Sequence, residues 1–282
     1  MRAAAIILFV LLSFSLFAQE RLLKNQEFSF SIGIAEVDME EFQPNDHLDF
    51  INYFDFDNDN TNFILLKLGY KFDFLSKMSA DIKLVMMDDI IPDNYDIAVH
   101  YYVRPWLGIG VGSMLNKNWI TSFEEYQINS LPNYYLMDYN VQQFTIYDLG
   151  FYLTPILKPF DNEIFKLQLA CDLGMSAFMK EEAVFYHKKK LSNEKLAYFY
   201  ETKTTFQPYI QPKIDIRLKA FKIKEATFGF LLNANYFYSK RSINYVRTIQ
   251  AWTWDNKQVE KIKPSKHTYS RYEFNLGMFL KW

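Results

Sequence analysis

Asp55, Asp57 and Asp59 stand in D-x-D-x-D spacing, which can present carboxylate oxygens to a calcium ion. The position that an EF-hand fills with Gly is Asn60, and its bidentate Glu position is Leu66. The segment is therefore not an EF-hand. It stands as a metal candidate beside the plainer reading of a solvated acidic tip. Asp88 and Asp89 adjoin a predicted strand end, and His187 and His267 fall in predicted loops. A general base needs an orienting partner within hydrogen-bond reach. No D-x-H element accompanies these residues, and neither G-x-S-x-G nor H-E-x-x-H occurs. His100 reads as an interior residue rather than a ligand. Cys171 is the single cysteine, which excludes a multi-Cys zinc site and an intramolecular disulfide framework. The expectation is a non-enzymatic chain with no cofactor.

A larger set of charged residues recurs at every second position. Ile64, Leu66, Leu68, Tyr70, Phe72 and Phe74 alternate with Leu65, Lys67, Gly69, Lys71 and Asp73. Ile210, Ile214, Ile216 and Leu218 face away from Lys213, Asp215, Arg217 and Lys219. Tyr272, Phe274, Leu276, Met278 and Leu280 alternate with Arg271, Glu273, Asn275, Gly277 and Lys281. Period-two alternation marks half-buried strands. The pattern recurs near 28–34, 82–86, 97–103, 107–112, 147–153, 165–173 and 228–238, so ten strands are predicted. A count of eight or twelve follows if 78–87 or a loop segment is read differently. Soluble strands run about 5–6 residues, whereas a bilayer-crossing strand needs about 9–11. Several segments here reach the longer length. The predicted fold is an all-β transmembrane antiparallel up-and-down barrel, apolar outside and polar inside.

On that register the interior carries Lys67, Lys71, Lys83, Arg104, Lys166, Lys213, Arg217, Lys219, Arg271 and Lys281. Facing them are Asp73, Asp81, Asp148, Asp172, Asp215 and Glu273. The lumen candidates are Asp148, Lys213, Asp215, Arg217, Arg271 and Glu273. A barrel of about eight strands is only wide enough to be filled by side chains. Salt bridges closing the lumen are expected, and a narrow channel with slight anion preference is the alternative.

The connections alternate long and short. Residues 38–62, 88–94, 116–140, 176–204 and 239–268 are predicted loops on one side. Short turns are expected near 75–78, 104–106, 154–162 and 220–226, with Pro105, Pro155 and Pro159 among them. The first loop carries Asp38, Glu40, Glu41, Asp46, Asp49, Asp55, Asp57 and Asp59 and no Lys or Arg. The last has Lys240, Arg241, Arg247, Lys257, Lys261, Lys263 and Lys266 against Asp255 and Glu260. In a closed barrel these loops are neighbours, so they are expected to pair over the mouth. Trp119, Tyr126, Tyr134, Tyr135, Tyr139, Phe185, Tyr186, Tyr198, Phe199, Tyr200, Trp252 and Trp254 make the loops aromatic. Such loops suit contact with a surface ligand.

Composition agrees with this reading. Half of the 282 residues are hydrophobic, which argues against a disordered chain, and a net charge of −2 offers no basic excess for nucleic acid. Arg2 precedes an apolar stretch from Ala3 to Ala18 that is short for a spanning helix. Residues 1–18 are read as a cleaved secretory signal and 19–282 as one barrel domain.

The last strand ends in Asn275, Gly277, Leu280 and Trp282, as polar-x-Gly-x-x-hydrophobic-x-aromatic. This resembles the β-signal of bacterial outer-membrane proteins, whose usual last residue is Phe rather than Trp. An extended segment of this kind can add to a partner strand edge. The resemblance implies the barrel assembly machinery as a partner, contact with outer-membrane lipid and residence in the bacterial outer membrane. At the level of architecture the chain is similar to the small single-chain barrels of the OmpA/OmpW-like kind, and a monomer is expected. Ten-stranded barrels also include the omptin proteases. Their chemistry needs paired Asp and an Asp–His pair; Asp88 and Asp89 are present here without a D-x-H element, so an omptin-like enzyme is a third, weaker reading. Fold analogy alone does not assign function.

Overall fold

The computed structural model describes residues 24–43, 61–87, 94–119, 134–140, 145–178, 182–189, 195–203, 205–251, 258–261 and 265–282. The strands, in chain order, are β1 (Lys24–Gln43), β2 (Thr61–Leu75), β3 (Met78–Met87), β4 (Asn94–Arg104) and β5 (Leu107–Trp119). They continue with β6 (Tyr134–Asn140), β7 (Thr145–Asp161), β8 (Phe165–Phe178), β9 (Glu182–Lys189) and β10 (Lys195–Lys203). The last are β11 (Gln207–Ile223), β12 (Ala226–Ala251), β13 (Gln258–Lys261) and β14 (Ser265–Lys281).

Ten of these strands close a barrel. Their order is β11-β8-β7-β5-β4-β3-β2-β1-β14-β12, and β12 pairs back onto β11. Every pairing is antiparallel. Closure leaves no unpaired edge, the only way a sheet can satisfy its backbone in lipid. The β1–β14 seam runs from Glu27↔Lys281 to Gln43↔Lys266. Gly277 sits in that seam opposite Ser31, where an added Cβ would come 2.1 Å from the Phe30 carbonyl oxygen. The glycine thus has a packing reason as well as a place in the terminal motif.

The two faces of the wall differ as the alternation requires. Ile34, Ile64, Leu276 and Met278 are each more than half exposed, and Phe30, Ile97, Val111, Phe151, Leu173 and Phe230 join them. Ser31, Ser79, Asp148, Asp172, Ser176, Arg271 and Asn275, at inward positions, are buried. A water-exposed wall this apolar would be an aggregation surface; against lipid it is satisfied. The staves run from 10 residues in β3 to 26 in β12, enough to cross a bilayer at about 9–11. No described helix is long and apolar enough to cross a membrane.

Two expectations are corrected. Residues 154–162 are not a turn, because β7 runs through Pro155 and Pro159 to Asp161. Pro lacks an N–H, and the β7–β8 ladder steps around both residues. It passes from Leu153↔Leu173 to Ile156↔Ala170, then from Leu157↔Leu169 to Phe160↔Leu167. The real turn is made by Asn162, whose Oδ1 accepts the N–H groups of Ile164 at 2.9 Å and Phe165 at 2.7 Å. The second correction concerns 116–140, 176–204 and 239–268, which contain much strand. β12 continues past the barrel, where Leu196–Lys203 of β10 and Val246–Ile249 with β13 pair on it. β9 adds to β10, and β6 adds to β9.

Candidate functional site

Inward-facing charged residues from seven strands meet inside the barrel in three groups. Nearest the turn end, Arg217 of β11 pairs with Glu27 of β1 and with Asp215 at 2.7 Å. Asn233 of β12 donates to Asp215 at 2.7 Å. In the second group Glu273 of β14 is held by Lys67 of β2, by Arg271 at 2.7 Å and by the Asn235 amide at 3.1 Å. In the third, Lys213 of β11 bridges Asp172 of β8 at 2.5 Å and Asp96 of β4 at 3.2 Å. Thr154 donates to Asp172 at 2.6 Å, and the Tyr152 hydroxyl donates to Asp96. Lys83 of β3 ties Asp81 at 3.2 Å to Asp96 at 3.8 Å. Asp172 and Arg271, with side chains 1% and 3% exposed, are charges of the kind that persist only when paired and hydrogen-bonded. A cavity of about 90 Å³ is left between the groups, lined by Lys67, Lys83, Asp96, Lys213, Asp215 and Glu273 among others. That is room for a few waters.

Above these groups the lumen turns aromatic. Ala98, Met114, Tyr152, Tyr209, Phe237 and Tyr269 form a buried cluster. Tyr209 stacks on Phe237 with centroids 4.7 Å apart, and Tyr269 meets Phe237 edge-on at 5.4 Å. Tyr209, Phe237 and Tyr269 each lie further from the turn end on their strand than the grouped residues below them, which are Lys213 on β11, Asn233 and Asn235 on β12, and Arg271 and Glu273 on β14. They cap the ion pairs on the loop side.

Five of the six lumen candidates (Lys213, Asp215, Arg217, Arg271 and Glu273) fall within the paired groups. Asp148 is fully buried but stands apart, towards the loop end of β7 opposite Asn116. Arg104 is corrected: it is exposed at the turn end, where it lines a separate pocket. Glu27, Asp96 and Thr154 lie one position beyond the segments that alternate in the sequence, and Tyr152 lies inside one of them as an inward aromatic; none is among the sequence-predicted lumen residues. His100 is buried, as expected of an interior residue, 6.5 Å from the Tyr102 ring. Among the terminal-motif residues, Asn275 is fully buried, and its Oδ1 and Nδ2 have no hydrogen-bond partner. An unsatisfied amide contributes nothing that an apolar side chain of similar size would lose. Asn275→Leu is therefore expected to keep the refolded barrel within about 1 kcal/mol of the parent or above it. A urea titration checks this, and a clear loss of stability would mean that the amide is satisfied after all.

The other candidates do not converge. Asp55, Asp57, Asp59, Asp88 and Asp89 lie outside the described residues. His187 registers with Leu196 and Leu136, and His267 with Glu41 and Arg241, in different parts of the sheet. Among the described residues no group of three His, Cys, Asp or Glu side chains could hold a metal ion. The charged loops begin as neighbours: Glu40 registers with Thr268 and Thr268 with Lys240, and Glu41 with His267 and His267 with Arg241. Residues 44–60, the remainder of the acidic stretch up to β2, lie outside the described residues.

Fold and lumen together define a class: a membrane-spanning β-barrel of the outer-membrane kind, apolar outside and ion-paired within. Comparison with solved structures finds barrels of that class. The outer membrane protease OmpT from Escherichia coli matches at a TM-score of 0.47 and 10% identity, over 92% of this chain and 97% of that one. The outer membrane protein OprG from Pseudomonas aeruginosa matches at 0.32 and 9%, over 93% and 97%. The attachment invasion locus protein Ail of Yersinia pestis matches at 0.29 and 11%, over 91% and 98%. At these identities the likeness is one of fold, and no activity is carried across. No protein-family profile and no curated protein matches the chain.

Proposed function

We propose that this chain is a monomeric, non-enzymatic outer-membrane barrel that acts through the surface it raises above the membrane, not through its lumen. It reaches the outer membrane after removal of residues 1–18 and is assembled through its last strand, Asn275 to Trp282. The observation that carries the reading is the continuation of β12 beyond the barrel wall. That extension is the template for a second sheet, β13-β12-β10-β9-β6. One row of its register joins Tyr139, Phe185, Tyr198 and Ile249. Tyr134, Tyr135, Tyr186, Phe199 and Tyr200 lie on the same strands. Aromatic residues carry much of the binding energy at recognition surfaces. The capped and ion-paired lumen supports the reading from the other side, because it leaves little room for transport.

The test is single-channel conductance of the refolded chain in a planar bilayer, at low and high salt, with insertion verified independently. A silent bilayer is expected. Discrete, reproducible steps would overturn the reading in favour of a narrow channel for ions or small solutes.

A further inference from the structure

The turn end of the barrel holds a second cavity, of about 410 Å³. It falls within the size range of small-molecule sites. The turn segments 75–78 and 103–105 form its rim, so it opens on the side opposite the upper sheet. Glu27 lines this cavity, and its partner Arg217 lines the smaller one above. That ion pair joins the two linings, and Lys71 lines both cavities.

The charges of this vestibule do not balance. Lys71, Lys158, Lys166 and Lys281 all line it, and none makes an ion pair with a carboxylate. Two of its three acids are paired with cations, which leaves Asp73 alone against four ammonium groups. Glu27 is held by Arg217, Asp161 lies 3.7 Å from Lys219, and Asp73 accepts a hydrogen bond from Asn25 at 3.1 Å. Lys158 lies over the Tyr102 ring, 3.4 Å from its centroid, a cation–π contact that orients the ammonium without neutralising it. In the three groups above, every charged side chain has an opposite charge within about 4 Å; here four ammonium groups from β2, β7, β8 and β14 share one concave space without one among the described residues. Such a concentration of unmatched cations is a site for an anion with several oxygens.

We infer that the turn-end vestibule binds a phosphate-bearing anion through Lys71, Lys158, Lys166 and Lys281. The ligand is either a free phosphate compound or a lipid phosphate headgroup, and both offer the same oxygens. The site stands independently of the upper sheet and of whether the lumen conducts.

Isothermal titration of the refolded barrel with inorganic pyrophosphate, in a phosphate-free detergent, reads the site. Saturable binding at one site per chain is expected. Lys166→Gln/Lys281→Gln should raise the dissociation constant at least about tenfold. Lys222→Gln, exposed on β11 and outside the cavity lining, should leave it unchanged. A second measurement needs no variant: pyrophosphate should protect Lys166 and Lys281 of the parent protein, but not Lys222, from acetylation followed by mass spectrometry. A short-chain phosphatidic acid in place of pyrophosphate separates the two sources, and the tighter ligand names the physiological one. Absence of saturable heat, an equal loss with Lys222→Gln, or acetylation unaffected by pyrophosphate would overturn the assignment.

Discussion

Lys213→Met is expected to lower the unfolding free energy of the refolded barrel by about 3–5 kcal/mol, the usual cost of stranding a buried charge. Lys213 bridges Asp172 at 2.5 Å and Asp96 at 3.2 Å, and it is the cation on which Asp172 depends. The Asp172 side chain is 1% exposed, so water cannot replace the lost ammonium. Methionine fills nearly the same volume, which confines the effect to charge. Asp96 keeps the Tyr152 hydroxyl and Lys83 at 3.8 Å. The stranded charge is therefore Asp172, which retains only the Thr154 hydroxyl, and a neutral donor does not balance a carboxylate. A urea titration followed by tryptophan fluorescence measures the change. Adding Asp172→Asn should recover at least about 1 kcal/mol, since it removes one stranded charge while keeping an acceptor for Thr154. The outcome also bears on function. A loss below about 1 kcal/mol would show that water reaches Asp172 and Asp96 freely, because exposed pairs are worth no more than that. The closed-lumen reading would then give way to the channel.

The ten staves of the barrel were legible because each buries one face against side chains and turns the other to lipid. Two environments on one strand force period two. Ile210, Ile214 and Leu218 against Lys213, Asp215 and Arg217 show it plainly, and the interior charges follow from the same register. The misses cluster where that contrast ends. Glu27 and Asp96 each stand one residue before the segment read as strand, although Phe28 and Ile97 outside already place them inside. Thr154 is hidden in the sequence because Pro155 and Pro159 read as turn signals. A proline in a strand costs only its own ladder bond, and the broken β7–β8 register accommodates both. The upper sheet was illegible for a different reason. β10 carries Tyr198, Phe199 and Tyr200 in succession, so no one-sided apolar pattern distinguishes its faces. The aromatic cap was hidden too. Tyr209, Phe237 and Tyr269 are inward aromatics where alternation alone expects polar groups, and only their contacts show that they pack on one another.

That cap supplies the second large effect. Phe237→Ala is expected to cost about 3–5 kcal/mol, as for other large buried rings. Phe237 is 2% exposed and stands between the Tyr209 and Tyr269 rings, so its removal takes away both ring contacts at once. Neither neighbour can swing in freely, because each is fixed to a different stave, Tyr209 on β11 and Tyr269 on β14. The space therefore stays open and destabilises in proportion to its size. In a planar bilayer, however, the variant is expected to remain silent. Beneath the missing ring, Lys213 still bridges Asp172 and Asp96, Lys67 and Arg271 still hold Glu273, and Arg217 still joins Glu27 to Asp215. An ion entering from the loop side would have to separate these pairs in turn, and each separation strands buried charge. The cap and the ion pairs are thus barriers in series, and the two measurements tell them apart. Loss of stability with a silent bilayer is what serial barriers require. Discrete conductance steps on removing Phe237 alone would show that the cap is the whole closure and that the charged groups below it line a pore.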